Sequence, residues 1–295
     1  MTTTFGPERW AGDITRVLNL VLGPDHFPIK VIDVAREYSA QRFPGDAITL
    51  VEGAALPGFE GALYRAPAGK AGWGIVYNKA ITSRGRINFT LAHEFGHYLL
   101  HRLTYPEGLR CGEQDVVRWD SEYGQIEHQA NRFAAGLLMP LDDYRRQINP
   151  RAKVDLEMMS GCAARYGVSL VAAILRWLSY TDRRAILVVS RDGFILWSRA
   201  SEPALKTGAF FRTSGPPIEI PATCLVSTPA LGTDPRIGID HPAGVWLGEP
   251  VREMTIVAEQ YDFAATLLLL EDRDRNVPLE AEPEEDVYDR FTKNL

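Results

Sequence analysis

Apolar residues recur at helical spacing in the first 180 residues of the chain and give way to strand-like runs after them. Helical spacing predicts helices at Ile14 to Leu22, Ile29 to Ala35, Arg86 to Leu103, Ser121 to Leu138 and Leu156 to Trp177. The last of these is predicted to break at Tyr166-Gly167-Val168-Ser169, where a glycine can end one helix and a serine can cap the next.

Strand-like runs lie in two regions. In the first half, Phe59 to Tyr64 and Trp73 to Asn78 predict a hairpin or meander around a turn-rich segment. After Thr181, Asp192-Gly193 between two apolar runs predicts a second hairpin, since this dipeptide readily adopts positive φ. The hairpin strands are Ile186 to Ser190 and Phe194 to Trp197, and further strands are predicted at Ile218 to Ile220, Val245 to Leu247, Met254 to Ala258 and Ala265 to Leu270.

These elements predict an α+β protein, and 295 residues leave room for about two domains. We expect a first domain at residues 1–180, which includes helix-turn-helix-like helices at 155–178, and a β-rich accessory or sensor domain at 181–272. Residues 273–295 are predicted to be an acidic, disordered tail. The segment from Glu271 onward carries about −5 of the net charge of −6, so the rest of the chain is nearly neutral.

Charge and cysteine content exclude several classes of protein. A nearly neutral body argues against direct nucleic-acid binding, and the second helix of the helix-turn-helix-like pair offers only Arg176 as a cation. Three cysteines without a Cys-x-x-Cys pair predict neither a disulfide framework nor a thiolate zinc site, which favours a reducing compartment. Apolar runs are too short for a bilayer span, so we expect a cytoplasmic protein with no membrane partner.

The sharpest chemical motif is His93-Glu94-Phe95-Gly96-His97, within an apolar predicted helix. Positions i and i+4 share one helix face, so both imidazoles can bind one metal ion while Glu94 lies beside them. A hydrolytic zinc site usually has three protein ligands and one open position for water, so a third ligand must come from elsewhere.

Several downstream residues are candidates for the third ligand: His101, Glu113, Asp115, Asp120, Glu122, Glu127 and His128. Glu127 is preferred because it lies on a second amphipathic helix. Asn131 lies one turn later and could orient a metal ligand by a hydrogen bond without binding the metal itself. His101 is two turns from His93, about 12 Å along the helix axis, and is more consistent with a supporting role.

The sequence resembles the ImmA/IrrE-type zinc metallopeptidases over about residues 14 to 178. Four stretches carry the likeness: Gly58 to Gly61, Val76 to Asn78, Arg86 to His97 and Glu127 to Pro140. The resemblance implies a zincin-like fold in which His93, His97 and Glu127 bind zinc, with manganese as a possible alternative, and Glu94 is the general base. It also implies cleavage of a helix-turn-helix repressor in a stress response or in control of mobile elements; no DNA-binding domain is fused at the N-terminus here, so we expect a separately encoded repressor.

The sequence also suggests residues that would bind the substrate and stabilise the oxyanion. The strand Trp73 to Asn78 is expected at a sheet edge, where it would hold an extended substrate, with Tyr77 and Asn78 as substrate-binding residues. Tyr98, His101 and Arg86 are candidate oxyanion donors.

Two alternative functions are a zinc-stabilised sensor or adaptor without proteolysis and a zinc amidohydrolase acting on small amides. Deformylase-like enzymes of the second class use an upstream cysteine as ligand, and no cysteine precedes Cys111.

Overall fold

The computed structural model describes residues 5–112, 122–228, 234–258 and 262–272. The helices are α1 Pro7–Leu22, α2 Val31–Arg42, α3 Arg84–His101, α4 Glu122–Leu138, α5 Leu141–Gln147, α6 Leu156–Tyr166, α7 Leu170–Leu178 and α8 Glu202–Leu205. The strands are β1 Ile48–Ala54, β2 Phe59–Arg65, β3 Trp73–Asn78, β4 Gly108–Gly112, β5 Ala185–Arg191, β6 Phe194–Ala200, β7 Ile218–Glu219, β8 Ile239–His241, β9 Val251–Ala258 and β10 Phe263–Leu270. Mixed helices and sheets confirm the α+β class, whereas the zincin-like fold stays a prediction.

The chain divides into two compact units. The first contains residues 1–143 and 164–169, and the second contains residues 144–163 and 170–295. These units do not coincide with the expected boundary near residue 180, because α7 and most of α6 group with the C-terminal sheet. The 1–180 and 181–272 domains stay a prediction, and the predicted disordered tail at 273–295 lies outside the described residues.

A four-stranded sheet with the order β1-β3-β2-β4 forms the β part of the first unit. The strand β2 pairs antiparallel with both β3 and β4, which confirms the predicted hairpin. The expectation that Trp73–Asn78 is an edge strand is wrong, because β1 pairs with its other side in parallel. Strand β1 was not predicted, because its side chains are mostly exposed and show no apolar alternation.

Helix α3 is almost fully buried from Phe89 to Leu99, as its apolar sequence predicts. It begins after Ser83, whose hydroxyl accepts a hydrogen bond from the Arg86 backbone N–H at 3.3 Å, as a helix N-cap does. Helix α4 packs closely against it: a Cβ atom at Gly96 would lie 2.9 Å from Phe133 Cδ1 and 3.2 Å from Ala130 Cα. Glycine therefore lets the two helices approach where the motif lies.

The second unit contains a six-stranded antiparallel sheet with the order β7-β6-β5-β10-β9-β8. The predicted hairpin is confirmed as β5 and β6, with Asp192 and Gly193 at φ of 50° and 83° in the turn. The predicted strand Val245 to Leu247 is wrong, because these residues form a turn in which the Gly244 N–H donates to the Leu247 carbonyl at 2.7 Å. The sheet confirms a β-rich C-terminal part.

Glu253 of β9 lies fully buried in this second unit and accepts four hydrogen bonds. The donors are the Leu225 backbone N–H at 2.8 Å, the Trp246 indole at 2.9 Å, the Thr255 hydroxyl at 2.9 Å and His241 Nε2 at 2.7 Å. These bonds tie β8 and two loops to β9, which accounts for a carboxylate at a position closed to water.

The break between α6 and α7 lies where the sequence predicts it, at Gly167, which has a φ of 62°. Six of the nine residues of α7 are buried, so this helix offers little surface for contact with DNA. In the described part of the chain no single helix is long and apolar enough to cross a membrane; α6 and α7 meet that criterion only as a pair, bent by 106°.

Candidate metal centre

One face of α3 is directed at β2 and carries Arg86, Thr90 and Glu94, one helical turn apart. The Arg86 guanidinium pairs with Glu60, its Nε donating at 3.0 Å, and the Thr90 hydroxyl donates to the same carboxylate at 3.4 Å. Glu94 is fully buried, and a Cβ atom at Gly61 would lie 2.6 Å from its Oε1. The absence of a side chain at Gly61 therefore makes the space that the Glu94 carboxylate occupies.

A second face of α3 brings His93 and His97 toward Glu127 of α4. The two Nε2 atoms lie 2.9 Å apart, and the Glu127 carboxylate oxygens lie 3.1 Å from His93 Nε2 and 3.2 Å from His97 Nε2. All three side chains are buried, and this is the one group in the described residues whose ligand atoms meet the spacing of a metal site. Tetrahedral zinc with bonds of about 2.1 Å separates its ligand atoms by about 3.4 Å, so a small rearrangement accommodates the ion.

The charges in this group favour a cation. Burial alone would raise the pKa of Glu127, but His97 and His93 outweigh it and hold the pKa well below its usual range, so this ligand is anionic. Burial lowers the pKa of His97 and keeps it neutral. Burial also disfavours charge on His93, but the Glu127 carboxylate, helped by Glu94 and Asn131, raises its pKa to about 9.

Both histidines contact further polar residues through their other ring nitrogen. His93 Nδ1 lies 2.8 Å from Asn131 Oδ1, and His97 Nδ1 lies 3.0 Å from His101 Nδ1. Burial and the neighbouring His97 lower the pKa of His101 to about 4, so this ring is neutral. Asn131 and His101, the two residues expected outside the ligand set, therefore each contact a ligand.

Gln129 is a polar residue of this site that was not predicted from the sequence. Its Oε1 lies 3.2 Å from His101 Nε2, so it extends the row of contacts that begins at His97. Its position between Glu127 and Asn131 on α4 is the sequence feature that could have identified it as a residue of the site.

The two predicted substrate-binding residues make contacts within the sheet and its loops. The Asn78 side chain donates to the carbonyls of Leu56 and Phe59 at 2.9 and 3.0 Å. The Tyr77 ring lies against Gly53 of β1, 3.1 Å from where a Cβ atom would be. Their role in substrate binding stays a prediction.

Each of the three candidate oxyanion donors has a partner within the fold. The Tyr98 hydroxyl, in a fully buried side chain, donates to the Asp46 carbonyl at 2.8 Å. Arg86 pairs with Glu60, and His101 lies between His97 and Gln129. These contacts do not single out one of them as the donor.

The other candidates for the third ligand fall into two groups. Glu113, Asp115 and Asp120 lie outside the described residues, as does the side chain of Glu122. His101 and His128 are described, but the group with metal-site spacing contains Glu127 and neither of them.

Helices α3 and α4 thus bring together a buried His-His-Glu group with the spacing of a metal site. Residues 50–178 match the family model of the IrrE N-terminal-like domain, Peptidase_M78, a segment that includes Glu94 and all three members of the group. This match over residues 50–178 supports a domain of the ImmA/IrrE metallopeptidase type, which confirms the resemblance seen in the sequence. No curated protein matches the chain significantly.

Proposed function

We propose that the protein is a zinc-dependent endopeptidase in which His93, His97 and Glu127 hold the metal. The observation that carries the proposal is the buried group of two imidazoles and one carboxylate, with its atoms within 4.8 Å of one another, beside the buried carboxylate of Glu94. Two imidazoles and one carboxylate form a donor set typical of hydrolytic zinc sites, and His93 would release its proton when the metal binds.

Glu94 is the general base of the proposed reaction. A bound zinc ion supplies Lewis acidity, which polarises a peptide carbonyl and makes water more acidic. The Glu94 carboxylate accepts a proton from the attacking water and passes it to the nitrogen of the leaving amine. Its buried position against Gly61 strengthens its electrostatic interaction with the reacting groups, because water screens it poorly there.

Strand β4 is the better candidate for the edge that receives an extended substrate. Among the described strands it is one end of the sheet and pairs with β2, with Cys111 opposite Gly61. A peptide added to β4 would lie two strand spacings from β2, or about 10 Å, whereas one added to the opposite edge would lie farther from Glu94. Backbone pairing of this kind accepts many sequences, as a protease requires.

The proposed substrate is a separately encoded helix-turn-helix repressor, and its cleavage would relieve repression in a stress response or in a mobile element. This part of the proposal rests on the family resemblance. We also propose that the protease and its substrate act in the cytoplasm.

Replacement of Glu94 by Gln tests the proposal. The amide keeps the size of the side chain but cannot accept the proton, so cleavage of the repressor encoded beside this protein should fall by ~10²- to 10⁴-fold. Zinc content, measured by elemental analysis, should stay at one ion per chain. Glu37→Gln is the matched control, because the same change at an exposed position of α2 outside the site should leave both quantities unchanged.

An adaptor that binds its regulator without cutting it gives the opposite result. A Glu94→Gln protein that retains zinc and still relieves repression in cells would rule out the proteolytic mechanism. A neighbouring repressor that stays intact with zinc and with manganese would favour the adaptor.

A further inference from the structure

A row of ring nitrogens connects the metal group to the amide of Gln129. His97 Nε2 faces Glu127, His97 Nδ1 lies 3.0 Å from His101 Nδ1, and His101 Nε2 lies 3.2 Å from Gln129 Oε1. His97 is fully buried and His101 nearly so, which shields both rings from water that could exchange these bonds. Each contact in the row contains one hydrogen atom. The nitrogen that carries the proton on one ring therefore determines which nitrogen carries it on the next.

Only one direction leaves His97 able to bind a metal. If Gln129 accepts through Oε1, His101 carries its proton on Nε2 and accepts through Nδ1, so His97 carries its proton on Nδ1 and its Nε2 is bare. If the amide is turned and donates, both histidines adopt the other tautomer. His97 then carries a proton on Nε2, the atom that faces Glu127, and that atom is closed to a metal ion.

We propose that Gln129 is a positioning residue that sets the tautomer of His97 through His101 and thereby sets the affinity of the site for its metal. The proposal rests on the proposed function only in requiring His97 to be a metal ligand. His93 has the simpler arrangement, with the acceptor Asn131 in direct contact. Helix α4 thus provides the carboxylate ligand, one amide acceptor for His93 and another for His101.

Variants of Gln129 separate this role from simple packing, because the side chain is half-exposed and tolerates substitution. Glutamate can only accept a hydrogen bond and enforces the metal-binding direction, so Gln129→Glu should retain or increase affinity for Zn²⁺. Lysine can only donate, and leucine can do neither, so Gln129→Lys and Gln129→Leu should each lower affinity by about 10- to 100-fold. Competition with a chromophoric chelator, with Zn²⁺ alone as the probe, measures these affinities.

Two controls separate the tautomer effect from a general change of charge on α4. Gln125→Glu and Gln125→Lys change the charge of the same helix at an exposed position, and should shift affinity by much less than the matching changes at Gln129.

The outcomes are independent of peptidase activity. Affinities within twofold of the wild type in both Gln129→Leu and Gln129→Lys would overturn the proposal, as would a Gln129→Glu protein as weak as Gln129→Leu. If Glu94→Gln retains full activity while the Gln129 series behaves as expected, the proposed mechanism fails and the positioning role stands.

Discussion

Within the described residues, two buried glutamates, Glu127 and Glu253, contact histidines, and the atoms around the two carboxylates differ in kind. Glu253 in the C-terminal unit faces a backbone N–H, an indole and a hydroxyl besides His241, and the first two are donors that do not bind metal. Glu127 instead faces the Nε2 atoms of two histidines one helical turn apart. A buried carboxylate is therefore a metal ligand or a structural anchor according to its partners, and burial alone does not distinguish them.

The largest effects are expected when Glu127 or Glu253 is replaced by alanine, and the two replacements should affect different properties. Glu127→Ala removes one of three ligands, so zinc affinity should fall by more than the ~10²-fold that loss of an outer contact costs. Glu253→Ala should leave zinc content unchanged and lower the free energy of unfolding by at least about 3 kcal/mol, because several buried donors lose their acceptor. Elemental analysis and denaturant unfolding of the full chain measure the two effects. Equal zinc content in both variants would remove the distinction.

Gly61→Ala should separate the role of Glu94 from that of the metal ligands in the first unit. The added methyl group would lie 2.6 Å from Glu94 Oε1, so the base must move while the three ligands stay in place. We expect peptidase activity to fall by about 10²-fold with zinc retained, because small displacements of a catalytic group have effects of that size. Gly12→Ala, where a Cβ atom has no neighbour within 4 Å, is the control. Full activity in Gly61→Ala would argue against Glu94 as the base.

The smallest effect is expected at Asp240, which lies on β8 next to His241 and pairs with Arg252 at 3.0 Å. The Asp240 side chain is 76% exposed and that of Arg252 is 39% exposed, so water screens this pair. Asp240→Asn should change the free energy of unfolding by less than about 1 kcal/mol. A loss as large as that of Glu253→Ala would show that exposure does not separate these two acids.

The sequence was informative where function depends on spacing along one helix. His93, Glu94 and His97 could be placed together because the helical period alone determines their geometry, and Glu127 because it lies on a periodic second helix. The exposed strand β1 has no such pattern, which is why β3 was expected at an edge.

Roles that depend on tertiary contact were not visible in the sequence. Gly61 and Gln129 belong to stretches that carry the family likeness, but the contact of Gly61 with Glu94 and that of Gln129 with His101 join different elements. Glu253 gives no signal at all, because its Leu225 donor is 28 residues away in the chain.

The division of the metal ligands between two helices links zinc concentration to the association of those helices. Helix α3 positions two ligands by its own geometry, but the third is in place only when α4 is docked at Gly96. Because the docked state binds zinc better, free zinc at 100 times its Kd favours docking by about 2.7 kcal/mol. In the proposed zinc-bound protein, removal of the metal by a chelator should therefore weaken the association of α4 with α3.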